Sequence, residues 1–234
     1  MKMNWEFKQS EYRAEWDRQN SVGGLCLSLS ARWCRAMLES EKDGWGAPTA
    51  SAEERFKCFK QQPVATDVVS TQAVFSRRMA RAREGGQTVE TLIQVATVLN
   101  KHHPVETHTL LAAIDLAADE LVVRGPHITD STITHFGLRV AATAGDVKWG
   151  AIAASLATQQ CYVAHFETGA AGGHALGIYQ TYGWVSTDYY VFDPNFGEVL
   201  CNGSDDFTKL MSKIKAVGEY RNPDSITLRT VQLA

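Results

Sequence analysis

The feature that most constrains this chain is a change of period part-way along it. Through the first half, apolar residues recur at helical spacing. From Cys161 onward they sit in short runs cut by turns rich in glycine, proline and asparagine. Helices followed by strands predict an α+β fold. The main helix runs from Cys26 to about Glu39, with Leu25, Leu29, Trp33, Ala36 and Met37 on its buried face. Ser28 and Ser30 look like bystanders on it, and Cys34 a packing residue. Ser51 with Glu54 reads as a capping box opening a helix that Pro63 ends. Thr66–Arg83 is a helix stopped by Glu84-Gly85-Gly86, and Thr88–Leu99 and Thr107–Val123 are two more. Ile128–Val140 turns weakly β-like, and a short helix falls within Trp149–Thr158. Strands follow at Cys161–Glu167, Gly173–Tyr179 and Tyr189–Phe192, with a further one starting at Glu198–Leu200. An amphipathic helix at Asp206–Val217 precedes a closing edge strand at Ile226–Val231. Met1–Asn20, with Trp5, Phe7, Tyr12 and Trp16, reads as a short helix or an arm lying on the body, its aromatics serving as packing groups.

Composition narrows the function. With 234 residues, 44% of them hydrophobic, the chain can bury one sizeable core. The 23 Lys and Arg against 26 Asp and Glu give −3, with no basic or acidic tail, so nothing points to nucleic acid or a membrane surface. Arg77, Arg78, Arg81 and Arg83 read as a solvated helix face. No apolar run is long enough to span a bilayer. The first twenty residues lack the apolar core of a signal peptide, and Met1-Lys2 lacks a glycine-led myristoylation pattern. The five cysteines are Cys26, Cys34, Cys58, Cys161 and Cys201. Their odd count, irregular spacing and lack of a CxxC pair argue against a disulfide framework or a structural zinc site. His102, His103 and His108 have no partner ligand pair at metal spacing. The chain is read as a cytosolic product that needs no cofactor.

Three residues carry chemistry. Gly23 and Gly24 lead into Cys26, which opens the main helix. A thiol at a helix start sits among unpaired N–H groups and the positive helix end, which favour a nucleophilic thiolate. His174 begins a strand after a glycine, and Asp193 ends a strand where Pro194 stops pairing. Two neighbouring antiparallel strands would bring His174 and Asp193 within hydrogen-bond range. Cysteine hydrolysis needs this set: a thiol, an imidazole beside it, and a third group orienting the imidazole. Asn20 or Gln19, just before the glycines, could add a side-chain amide to the Cys26 N–H in holding an oxyanion.

Gly23–Trp33, then Gly173-His174-Ala175, then Phe192–Gly197 together resemble the YopT/AvrPphB-like bacterial cysteine peptidases. The resemblance covers roughly Gln19–Glu39 and Tyr162–Leu200. It implies a papain-like fold, a helical lobe bearing the Cys and an antiparallel sheet bearing the His and Asp. It further implies catalytic Cys26, His174 and Asp193 and a protein substrate in a host or target cell. Delivery would be without a Sec signal, with a chaperone or secretion-system partner. The whole of 1–234 is then one papain-like domain, with about 43–147 as a helical insertion or enlarged helical lobe. Two other functions use the same residues differently. An amidase, deamidase or acyl transferase would resolve the acyl-enzyme otherwise, and a non-catalytic binding protein would keep the fold and work through its helical middle.

Overall fold

The protein is described here by a computed structural model covering residues 1–12, 25–99, 128–167, 173–183, 187–217, 220 and 223–234. It divides into two compact units, Met1–Ala73 with Thr132–Ala234, and Val74–Ser131.

The first unit is built on a seven-stranded antiparallel sheet. Its strands are β1 (Lys2–Glu6), β2 (Leu138–Lys148), β3 (Cys161–Glu167), β4 (Gly173–Gln180), β5 (Asp188–Asp193), β6 (Gly197–Asn202) and β7 (Ser225–Leu233). They lie in the order β1-β6-β5-β4-β3-β7-β2. Helix α1 (Cys26–Glu39) covers one face against β4 and β3, followed by α2 (Ala52–Phe56), and α3 (Gln62–Leu99) begins in this unit. On that face Trp33 stacks on Phe192 at 5.8 Å and 5°, within a cluster that includes Trp5, Phe7, Phe56 and Phe59. Offset and edge-on ring pairs of this kind add stability beyond the area they bury. The other face buries Phe166, Leu176, Ile178, Val191 and Val199 against α4 (Ile152–Ser155) and α5 (Ser204–Lys215), through Ile152, Phe207, Met211 and Ile214. The two cores follow from strand alternation, since Phe192 and Val191 must point to opposite faces.

Several elements depart from the sequence reading. The N-terminal segment lies on the body as strand β1, paired with β6, followed by a 3₁₀ turn at Gln9–Tyr12, and Trp5 and Phe7 pack in the aromatic core. Pro63 does not end a helix. It lies in the first turn of α3, where its missing N–H costs no hydrogen bond. Gly85 and Gly86 do not stop α3, which continues to Leu99 as one helix. Each glycine costs only about 1 kcal/mol in a helix interior, and the residues before them (Ala80, Arg81, Ala82, Glu84) are good helix formers that add little further cost. Residues 128–135 are helical rather than β-like. Thr129, Thr132, Ile133 and Phe136 are buried at spacings of three and four, a helical period. β7 is an interior strand between β3 and β2, not an edge. The edge is β2, whose Ala-Thr-Ala-Gly-Asp run is largely exposed and carries no strand pattern. Thr107–Val123 lies outside the described residues. In the second unit, Arg77, Arg78 and Arg81 are exposed on α3.

Candidate active site

The start of α1 is buried, so its first N–H groups need partners from elsewhere in the chain. They find side-chain amides. Leu25 N donates to Gln9 Oε1 at 2.8 Å, and Ser28 N donates to Gln72 Oε1 at 3.0 Å. Ser28 and Ser30 are therefore not bystanders. Both are fully buried, and Ser30 Oγ donates to the Ala175 carbonyl at 3.0 Å, tying α1 to β4. Cys26, the first residue of α1, is 5% exposed, and its Sγ donates to the Gly173 carbonyl at 3.7 Å. The thiol thus lies at the first residue of β4, beside His174.

β4 and β5 pair with Gly177 opposite Phe192. Continuing that register sets Asp193 opposite Leu176, so His174 is its diagonal neighbour on the same face. Accordingly His174 Nε2 bonds Asp193 Oδ1 at 3.1 Å, with both side chains almost fully buried. Asp193 Oδ1 also accepts the Asn195 N–H at 2.8 Å, an Asx turn that fixes the carboxylate. Burial opposes an imidazolium at His174. Hydrogen bonds to Asp193 and to the Cys26 thiol, and the charges on those two groups, outweigh it and push the pKa up to about 10.

Sequence reasoning missed a fourth group. Tyr220 stacks on the His174 ring, centroids 4.4 Å apart at 22°. Its hydroxyl lies 3.0 Å from His174 Nε2 and donates to Asp193 Oδ2 at 3.2 Å. Asn195 Nδ2 in turn donates to the Tyr220 oxygen at 2.6 Å. Burial, then the Asp193 charge, holds the tyrosine proton on far above the usual pH. A lone tyrosine between a helix and an edge-like strand carries no signal of this in the sequence. Gln9 was missed for the same reason. The candidate oxyanion residues Asn20 and Gln19 lie outside the described residues, as do Gly23 and Gly24 and the histidines at 102, 103 and 108.

Two of the other described thiols bond elsewhere, Cys34 Sγ to the Tyr162 carbonyl at 3.4 Å and Cys161 Sγ to the Cys34 carbonyl at 3.9 Å. Cys34, Cys161 and Cys201 are fully buried. Burial, then the neighbouring Cys161, holds the Cys34 thiol protonated well above its usual range. At Cys201 burial, then the charge of Asp206, raises the pKa to about 12.

The assembly is an imidazole oriented by a carboxylate, with a thiol at a helix start bonded to the carbonyl of the residue before that imidazole, the parts that acyl transfer through sulfur requires. The sequence matches the family Peptidase_C58, described as Yersinia/Haemophilus virulence surface antigen, over residues 6–233. No curated protein matches the chain in sequence. Among solved structures, the Pseudomonas avirulence protein AvrPphB is similar in fold, with a TM-score of 0.54 at 13% identity, over 89% of this chain and 92% of that one. At such low identity the likeness speaks for the fold alone, a papain-like α+β arrangement. Because the family match spans residues 6–233, the chain belongs to the Peptidase_C58 family of cysteine-type peptidases.

Proposed function

We propose that the protein is a thiol protease of the YopT/AvrPphB type that hydrolyses peptide bonds in a target-cell protein, with Cys26, His174 and Asp193 as its triad. The observation that carries this reading is the His174 ring, held by Asp193 at 3.1 Å, with the Cys26 thiol 3.7 Å from the carbonyl of the adjacent Gly173. Since Nε2 is taken up by Asp193 and Tyr220, Nδ1 is the nitrogen left for the thiol. The Cys26 proton resides on His174 in a thiolate–imidazolium pair, which the raised His174 pKa favours, and the thiolate attacks the amide carbon. The negative charge moves to the carbonyl oxygen, where the Cys26 N–H and an amide from Asn20 or Gln19 would hold it. The imidazolium then protonates the amine nitrogen as the C–N bond breaks, leaving a thioester on Cys26. Water, giving its proton to His174, attacks the thioester and the C–S bond breaks, releasing the acid and restoring the thiol. The family's virulence association supports a role as an effector acting outside the producing bacterium.

The test is a comparison of new protein N-termini in extracts of candidate target cells treated with wild type, Cys26→Ala or His174→Ala. Cleavages that appear only with the wild type support the reading. Side-chain mass shifts without backbone cleavage would replace it with a deamidase or transferase. Cleavage unaffected by Cys26→Ala would end it.

A further inference from the structure

We propose that Tyr220 and Gln9 are positioning residues that hold the His174–Asp193 pair in register with Cys26, through one continuous hydrogen-bonded chain. This inference rests on the triad reading above. The chain begins at the Asp193 carboxylate, which accepts the Tyr220 hydroxyl at 3.2 Å. The Tyr220 oxygen accepts Asn195 Nδ2 at 2.6 Å, and Asn195 Oδ1 accepts Gln9 Nε2 at 2.5 Å. Gln9 Oε1 accepts the Leu25 N–H at 2.8 Å, and Leu25 precedes the nucleophile. A backbone bond from Gln9 N to the Pro194 carbonyl at 2.7 Å anchors the same residue to the turn that follows Asp193.

Every group in the chain has a defined role. Tyr220 donates its one proton to Asp193, and its oxygen has lone pairs for Asn195 and for the His174 Nε2–H at 3.0 Å. Asn195 donates from its nitrogen and accepts at its oxygen, which fixes its flip. Gln9 does the same between Asn195 and Leu25. Replacing any link leaves a buried or half-buried polar group unpaired, so the chain has one satisfied arrangement and specifies the geometry. The elements it joins are remote in sequence: the N-terminal 3₁₀ turn (Gln9–Tyr12), the start of α1, the β5–β6 turn and the segment at Tyr220. Among the described residues no backbone hydrogen bond joins the start of α1 to β5, so side chains set the distance between the cysteine and the histidine pair. Among the described residues, the titratable groups facing His174 are Cys26 from α1, Asp193 from β5 and Tyr220.

The test measures the second-order rate of iodoacetamide alkylation of Cys26, by mass spectrometry of its peptide, across pH. It uses wild type, Tyr220→Phe and Gln9→Ala, with near-ultraviolet circular dichroism to verify folding. Tyr220→Phe keeps the ring stack and removes only the hydroxyl. It should move the pH of half-maximal rate upward by about one unit, because the imidazolium loses the Tyr220 oxygen as an acceptor. Gln9→Ala removes no core residue and should slow alkylation about tenfold near neutrality, through misplacement of thiol and imidazole. If wild-type Cys26 reacts no faster than Cys34, Cys161 and Cys201, the triad reading itself fails. If it reacts faster, and folded Tyr220→Phe and Gln9→Ala match it in rate and pH midpoint, the triad stands and the positioning chain is overturned. Should Tyr220→Phe not fold, Gln9→Ala decides alone.

Discussion

Gly177 of β4 lies directly beneath the Trp33 indole of α1: a Cβ built on it would stand 2.3 Å from Trp33 Cε3. The indole cannot step aside. It is stacked on Phe192, and its Nε1 donates to buried Glu198 Oε2 at 3.0 Å. This close approach brings α1, and Cys26 with it, onto the strand that carries His174.

Gly177→Ala should therefore destabilise the fold by about 2 kcal/mol, the usual range for overpacking a filled core. Gly177→Val should cost more. The denaturant midpoint measured by tryptophan fluorescence checks this, and an unchanged midpoint for Gly177→Ala would mean that the helix and sheet are not in this contact.

Much of this arrangement was legible in the sequence, for local reasons. α1 runs from Cys26 to Glu39 as its apolar spacing required, and β3 spans Cys161–Glu167 as its run of apolar residues indicated. The neighbouring strands needed to join His174 and Asp193 are β4 and β5. What could not be read depends on contacts far along the chain. Trp5 and Phe7 look alike in a helix or a strand, and only pairing with β6 makes β1. β7 reads as an edge until β2, with almost no apolar pattern of its own, pairs outside it. Gln9 and Tyr220 are unremarkable in sequence because their partners lie 16, 25 and 46 positions away or more.

The buried Arg55–Glu198 pair makes a second prediction. Arg55 Nη2 and Glu198 Oε1 are 2.7 Å apart, with side chains 4% and 0% exposed. Glu198 also accepts from Trp33 Nε1 and from Asn4 Nδ2 at 3.1 Å, so one carboxylate joins α2, α1 and β1 to β6. Arg55→Met leaves that carboxylate buried without its cation and should cost about 3–5 kcal/mol. Replacing both residues by methionine should recover part of the loss, because no lone charge stays behind. A double-mutant cycle by chemical denaturation measures it, and strict additivity would show the two residues to be uncoupled.

His174 predicts how stability depends on pH. Its pKa is about 10 in the fold and near 6.5 in the unfolded chain, so the native state binds the proton more tightly. The stabilisation this provides is fully present below pH 6.5 and is lost as pH rises toward 10. Wild type should exceed His174→Gln in unfolding free energy by on the order of a few kcal/mol at pH 6, and the gap should shrink across that window. Denaturation of both proteins at pH 6, 8 and 10 tests this. A gap that widens with pH would mean His174 is buried neutral.

The last prediction concerns Gly197, the first residue of β6. Its φ is +109°, a region L side chains rarely adopt, and a Cβ there would stand 2.0 Å from the Trp5 carbonyl oxygen and 2.7 Å from Phe7 N. Both atoms are backbone, so no side-chain rotation relieves the clash. Gly197→Ala must therefore push β1 away from β6 at the Glu6–Gly197 end of their pairing. Gln9 follows three residues after Glu6, and its bonds to Leu25 N and Asn195 would be the next to break. We expect Gly197→Ala to lose hydrogen-exchange protection at the β1 amides before those of β4 and β5. The rate of Cys26 alkylation should fall with it, toward that of Gln9→Ala. The order of loss carries the prediction. Strand release with an undiminished alkylation rate would show that the N-terminal strand holds the sheet edge alone and has no part in setting the thiol against the imidazole.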